Sequence, residues 1–251
     1  MAGDQPCADE PGSCGQGPVC PVPETAPDTV CGLRRATSPA SGPVRLPRGS
    51  RLATRVLSWF GWRNEFAPLP EAHGLYIVYP HTSNWDFILG LLYKWSHGMP
   101  FKFWIKDSAT RLPLIGPWIR WVGGVPINRS AAYGVVEQTQ HQMHASAFFW
   151  LVVAPEGTRS YTPGWRTGFY HLWRTLDCPL GLAYIDYGAR QLGVTDYVRC
   201  SGDMEADFAA IARYYAGRQG CHPDQQSPIV PLERHRHGHR HGHEHPSQPQ
   251  E

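Results

Sequence analysis

The chain predicts an α/β layered domain with a mostly central β-sheet flanked by helices. Short apolar runs alternate with helix-like stretches between about Val56 and Gly217. Several of those runs are apolar at every position, as strands covered on both faces are. Hydrophobic residues make up 41% of the 251 residues, enough for a real core.

The elements follow in order. Leu-Tyr-Ile-Val at 75–78 predicts a strand, and the apolar stretch after Asp86 predicts a helix over 86–95. Further strands are expected at 101–105, 125–127, 148–153, 182–185 and 193–198, and further helices at 114–122, 131–145, 168–176 and 204–216. There is no internal repeat. Residues 1–50 are rich in Pro, Gly, Ser and Ala and too poor in apolar side chains to offset chain ordering, so they read as a disordered tail. The domain then spans 51–231, and a His-rich tail, also disordered by composition, spans 232–251.

Composition narrows the function classes. A net charge of +2 with no basic run of RNA-reading pattern argues against nucleic acid as a partner. No segment reaches the roughly 18 apolar residues that span a bilayer; the strongest, 87–95, is interrupted by Lys94. Any membrane contact is therefore expected to be peripheral. Residues 111–121 mix Trp118, Trp121 and aliphatic side chains with arginines, which suits a surface lying on lipid head groups, although core packing is the ordinary use of most tryptophans. Four of the 7 cysteines (Cys7, Cys14, Cys20, Cys31) lie in the N-terminal tail without a Cys-x2-Cys pair, and no apolar signal segment follows the N-terminus. Reduced thiols and a cytoplasmic setting, peripheral on the membrane, are expected. The alternating histidines of 235–245 can bind zinc, nickel or copper adventitiously; no compact ligand set lies in the body, and no metal is expected at the site.

The chemistry gathers in the body. Tyr-Pro-His-Thr-Ser-Asn-Trp-Asp-Phe at 79–87 places His81 where a strand ends and Asp86 in the first turn of the next helix. One ring nitrogen of such a histidine can take a proton from a hydroxyl nucleophile while the carboxylate holds the other. Asp86 also suits the helix dipole, and Thr82, Ser83 and Asn84 are helix-capping types. Glu156-Gly157-Thr158-Arg159 follows the apolar run 148–153, where a turn opens at a sheet end. Gly157 permits close backbone approach, and Arg159 can grip a phosphate in fork geometry. Glu156 suits either fixing Arg159 or binding an acceptor hydroxyl. Arg129, after Gly-Gly-Val-Pro-Ile-Asn at 123–128, and Lys106, ending Phe-Trp-Ile-Lys, add positive charge at two further strand ends.

This ordered set, with Pro179-Leu180 as a looser final block, resembles the glycerolipid acyltransferase family, typified by the 1-acylglycerol-3-phosphate (lysophosphatidic acid) acyltransferases. The likeness runs from about Leu75 to Tyr187, in a short form without the transmembrane helices of many relatives. It implies an α/β fold and transfer of a fatty acyl group from acyl-CoA or acyl-carrier protein to a lysophospholipid hydroxyl, with no cofactor. It implies His81 as the general base oriented by Asp86. Glu156, Gly157, Thr158 and Arg159 fall to acceptor recognition and Arg129 to the acceptor phosphate; Lys106 is expected to bind substrate on its own charge at a strand end. Another lysolipid or lyso-aminolipid acceptor, or a non-catalytic lipid-binding protein, are the alternatives. The chain has no Gly-x-Ser-x-Gly elbow, phosphate-binding Gly-x4-Gly-Lys loop or Gly-x-Gly-x2-Gly fingerprint, which weakens hydrolase and nucleotide-driven frames.

Overall fold

Central strands buried at successive positions, and so covered on both faces, set the architecture. The computed structural model describes residues 28–37, 44–106, 113, 115–127 and 132–232. Its elements are β1 (Thr29–Val30), β2 (Leu33–Arg34), α1 (Arg51–Trp59), β3 (Arg63–Phe66), β4 (His73–Tyr79), α2 (Trp85–Ser96) and β5 (Lys102–Lys106). Then come α3 (Ile115–Trp121), β6 (Gly124–Ile127), α4 (Ala132–His144), β7 (Phe149–Val153), α5 (Gly168–Leu176), β8 (Leu180–Asp186), β9 (Gln191–Val198) and α6 (Met204–Tyr214). Every strand and helix expected from the sequence is present, with ends moved by a few residues.

Seven strands form one mixed sheet in the order β3-β9-β8-β4-β7-β5-β6. Neighbours from β8 to β6 run parallel. The four-residue turn from Tyr187 to Arg190 is too short for a crossover, so β9 returns antiparallel to β8. Alternation along β4 builds both cores. Leu75, Ile77 and Tyr79 join Leu151, Leu180 and Leu182 with the helical Phe169, Trp173, Phe208 and Ile211. Tyr76, one position out of phase, joins Trp150 with Leu57 of α1 and Leu89 and Tyr93 of α2. Helices thus cover both faces, which explains why the central strands read as unbroken apolar runs.

Lys94, which interrupts the apolar stretch of α2, is half-buried. Its ammonium donates to the carbonyls of Phe101 and Val122, tying α2 to the start of β5 and the end of α3. Burial lowers its pKa to about 8.

The N-terminal boundary at residue 50 needs correction. Val30 and Leu33 are buried in the core beside β4 and β8. They belong to a hairpin whose two turn residues, Cys31 (φ 50°) and Gly32 (φ 96°), both take the left-handed conformation that favours a tight hairpin. The hairpin continues along β9: Ala36 N–H donates to Tyr197 O at 2.7 Å, and Arg35 pairs with Asp196 at 2.9 Å. A few apolar side chains suffice here because the sheet edge supplies the backbone partners. Helix α1, capped by Ser50 Oγ accepting from Ala53 N–H at 3.3 Å, opens the expected domain at residue 51. Residues 1–27 and 233–251 lie outside the described residues.

Leu33→Ala is expected to lower the unfolding free energy by about 2–3 kcal/mol, the lower part of the usual range for a buried leucine. Urea denaturation checks this; an unchanged midpoint would mean that the hairpin does not stabilise the domain.

Candidate active site

The carboxyl ends of β4, β7 and β8 lie side by side, so the loops leaving them converge on one end of the sheet. His81 leaves β4, Glu156 leaves β7 and Tyr187 leaves β8.

Asp86, in the first turn of α2, is buried and accepts three hydrogen bonds. His81 Nδ1 lies 3.0 Å from Oδ2, Ser83 N–H donates to the same oxygen at 2.9 Å, and Tyr187 O–H donates to Oδ1 at 2.7 Å. An ionised carboxylate only accepts, so the bond to His81 requires a proton on Nδ1. In the neutral ring Nε2 then carries the free lone pair, and His81 keeps partial solvent exposure while lining a cavity of about 850 Å³. Burial and the bond to Asp86 push the Tyr187 phenol far above its ordinary range, so it stays a neutral donor. Of the three capping candidates, Ser83 caps: its Oγ accepts from Trp85 N–H at 3.2 Å. Thr82 instead accepts from His222 N–H at 3.1 Å, and Asn84 makes no side-chain cap bond.

Glu156 lines neither of the two cavities at the site. It is 1% exposed, and both oxygens accept main-chain donors, His81 N–H at 2.8 Å and Ser227 N–H at 3.2 Å. Burial raises its pKa while these amides and His81 oppose the rise. The expected contact with substrate or Arg159 is therefore replaced by a clamp on the backbone of His81. Gly157 also has a local role. Its φ is +68°, and a Cβ there would lie 2.6 Å from Arg166 Nε. The close approach that glycine permits is to the Arg166 side chain. Thr158 Oγ1 accepts from Ser160 N–H at 3.3 Å, and neither Gly157 nor Thr158 lines the two cavities of the site.

Arg159 is exposed and makes no ion pair among the described residues. It borders an apolar cavity of about 850 Å³ between α2 and the sheet, lined at depth by Tyr76, Met99 and Val194. It also borders a smaller polar cavity of about 420 Å³. The structure thus brings His81, Asp86 and Arg159 to one site. Arg129 lies outside the described residues; for Lys106 only the backbone is described, ending β5 opposite Ile127. Among the described residues, no group of three or more His, Cys, Asp or Glu side chains is placed to hold a metal.

Tyr187 and Ser227 are functional partners that the sequence reading did not single out. Tyr187 follows a buried strand without a motif of its own, and Ser227 meets Glu156 across 71 residues. Only the fold brings either to the site.

A family model described as Acyltransferase matches residues 65–183, just under half of the chain. Among solved structures, the chain is similar to the 1-acyl-sn-glycerophosphate (LPA) acyltransferase PlsC from Thermotoga maritima, with 16% identity and a TM-score of 0.43 over 67% of this chain and 78% of that one. No curated protein matches significantly. The stretch that this family model matches, residues 65–183, holds the His81–Asp86 pair and the Glu156–Arg159 turn.

Proposed function

We propose that the chain is an O-acyltransferase that moves a fatty acyl group from acyl-CoA or acyl-carrier protein to the hydroxyl of a lysophospholipid, 1-acylglycerol 3-phosphate first among them. The observation that carries this reading is the His81–Asp86 pair at the wall of a large apolar cavity. Such a cavity suits a fatty chain, since each buried methylene contributes about 0.8 kcal/mol.

The chemistry follows from the tautomer. Nε2 of His81 removes the proton of the acceptor hydroxyl as its oxygen attacks the thioester carbonyl. Asp86 stabilises the resulting imidazolium through Nδ1. The tetrahedral intermediate collapses with cleavage of the carbon–sulfur bond, and the imidazolium returns its proton to the departing thiolate. A new ester and a free thiol result. Glu156 acts as a positioning residue through the His81 backbone. Arg159, beside the cavity wall, supplies fixed positive charge for a phosphate, and Arg129 and Lys106 remain further candidates for the same anion.

The same reading puts the protein peripherally on a membrane. Trp85 (66% exposed), Ile88 and Trp95 form one stripe of α2, with Trp121 of α3 (74%) 6.4 Å from Trp95 and Trp59 (85%) on the neighbouring α1. Trp59, Trp95, Trp118 and Trp121 are all on the surface, as the lipid-facing reading of residues 111–121 expects of the last two. Trp85, Ile88 and Trp118 also line the large cavity, so the aromatic face and the cavity are continuous. Exposed Arg51 and Arg55 suit anionic head groups. Among the described residues no helix is long and apolar enough to cross a membrane. The free thiols of Cys31, Cys178, Cys200 and Cys221 fit a cytoplasmic face.

Acyl transfer from radiolabelled acyl-CoA and acyl-carrier protein to a panel of lysophospholipids, lyso-aminolipids and uncharged acylglycerols tests the reaction. His81→Ala should lower kcat at least ~10²-fold in a folded protein. Glu156→Gln, which turns one amide donor against a main-chain N–H, should lower kcat by about tenfold or more with acceptor KM nearly unchanged. Full activity of His81→Ala would exclude the mechanism, and a rise confined to acceptor KM in Glu156→Gln would make Glu156 a substrate ligand after all. A folded wild-type protein inert towards the whole panel would favour lipid binding without turnover.

Trp59→Ala combined with Trp121→Ala should weaken co-sedimentation with phosphatidylglycerol-containing vesicles by about tenfold or more, since each exposed tryptophan is worth roughly 1 kcal/mol or more at an interface. Unchanged vesicle binding would place the membrane face elsewhere.

A further inference from the structure

Residues 217–232, after α6, lie beyond the family match, yet they are latched onto every loop of the site. Gln219 O accepts from Tyr187 N–H at 2.8 Å. His222 N–H donates to Thr82 Oγ1 at 3.1 Å, and Ser227 N–H to Glu156. Tyr79 O–H donates to Ser227 O at 3.1 Å, and Trp165 exchanges main-chain bonds with Val230 and Leu232, each 2.8 Å. At Gly220 the contact is so close that a Cβ would lie 2.6 Å from Thr82 Oγ1. This strap is fixed by its own main chain and by the side chains of Gln226 and Ser227, so it holds His222 and Gln225 in place beside the His81 loop.

Two of them, His222 and Gln225, line the smaller polar cavity opposite the His81 loop, with Arg159 and Ser160 on a third side. Among the described residues, no carboxylate lines this cavity. All of its polar side chains can donate hydrogen bonds, and Arg159 adds a permanent positive charge. Arg159 and Trp85 line both cavities, so the two adjoin beside the His81 loop. A ligand with an acyl chain in the large cavity and a glycerol hydroxyl at His81 would extend its head group into the small one.

We propose that His222 and Gln225 complete the acceptor head-group site and select a phosphate monoester over an uncharged head group. This rests on the acyltransferase reading and deepens it, by assigning acceptor selection to a segment outside the family match. The phosphates of CoA share the same chemistry, so the test separates the two sources.

The experiment is calorimetric titration of the full chain, without turnover, using 1-hexanoylglycerol 3-phosphate, 1-hexanoylglycerol and CoA. His222→Ala and Gln225→Ala should each weaken the phosphorylated acceptor about ten- to hundredfold, the range for a hydrogen bond to a charged group. Binding of 1-hexanoylglycerol and CoA should stay within about threefold of wild type. His222→Asn, which keeps a donor, should recover part of the loss. Three outcomes overturn the proposal: no change in either variant, a loss confined to CoA, or equal losses for all three ligands, which would mark a strap that has come loose. If the wild-type chain transfers acyl groups while the variants bind the phosphorylated acceptor normally, the head-group assignment falls and the acyltransferase reading stands. A wild-type chain that binds neither acylglycerol overturns both.

Discussion

A carboxylate taken out of water must be repaid in hydrogen bonds, and Asp86 organises the site around that requirement. Its three donors come from three places in the chain: the imidazole after β4, the amide of Ser83 in the following loop, and the phenol of Tyr187 between β8 and β9. Losing any one would leave a buried charge under-satisfied, at a cost of about 1–3 kcal/mol or more. The geometry of His81 is therefore held by a constraint stronger than a single ion pair. The sheet order makes the arrangement possible, because β8 lies directly beside β4 and delivers Tyr187 to the start of α2.

A second buried carboxylate acts on the same histidine from the other side. Asp86 holds the ring of His81, while Glu156 holds its main-chain N–H and ties it to Ser227. Burial works against the charge of Glu156, and two amide donors work for it. The division of labour is clear in space: the buried groups fix the histidine, and the exposed or cavity-lining groups, Arg159 and the aromatic face of α1, α2 and α3, remain available to ligands.

Much of this was legible in the sequence because it is local. Unbroken apolar runs at 75–78, 148–153 and 182–185 mark strands buried on both faces, and the His81–Asp86 spacing spans one turn from strand to helix. The hairpin at Thr29–Arg34 was not legible, since two buried side chains in a Pro- and Gly-rich stretch give no period; its order comes from the edge of β9. The edge strand β3, Arg-Asn-Glu-Phe, likewise has no apolar run and exists through its ladder with β9. From the sequence, Glu156 suits fixing Arg159 or binding an acceptor hydroxyl, and the structure instead buries it against main-chain donors. Its burial depends on Ser227, far along the chain, and no local pattern encodes that contact. Tyr187 was hidden for the same reason.

The central claim is that Asp86 fixes His81 as the Nδ1–H tautomer and leaves Nε2 free as the base. Long-range ¹H–¹⁵N correlation spectra of ¹⁵N-histidine-labelled protein, with His81 assigned by its loss in His81→Gln, read this directly at a pH where the ring is neutral. The account requires a protonated, pyrrole-like Nδ1 and an unprotonated, pyridine-like Nε2 for His81. A His81 ring carrying its proton on Nε2 would contradict it, because Asp86 would then face a lone pair and the base would point away from the substrate.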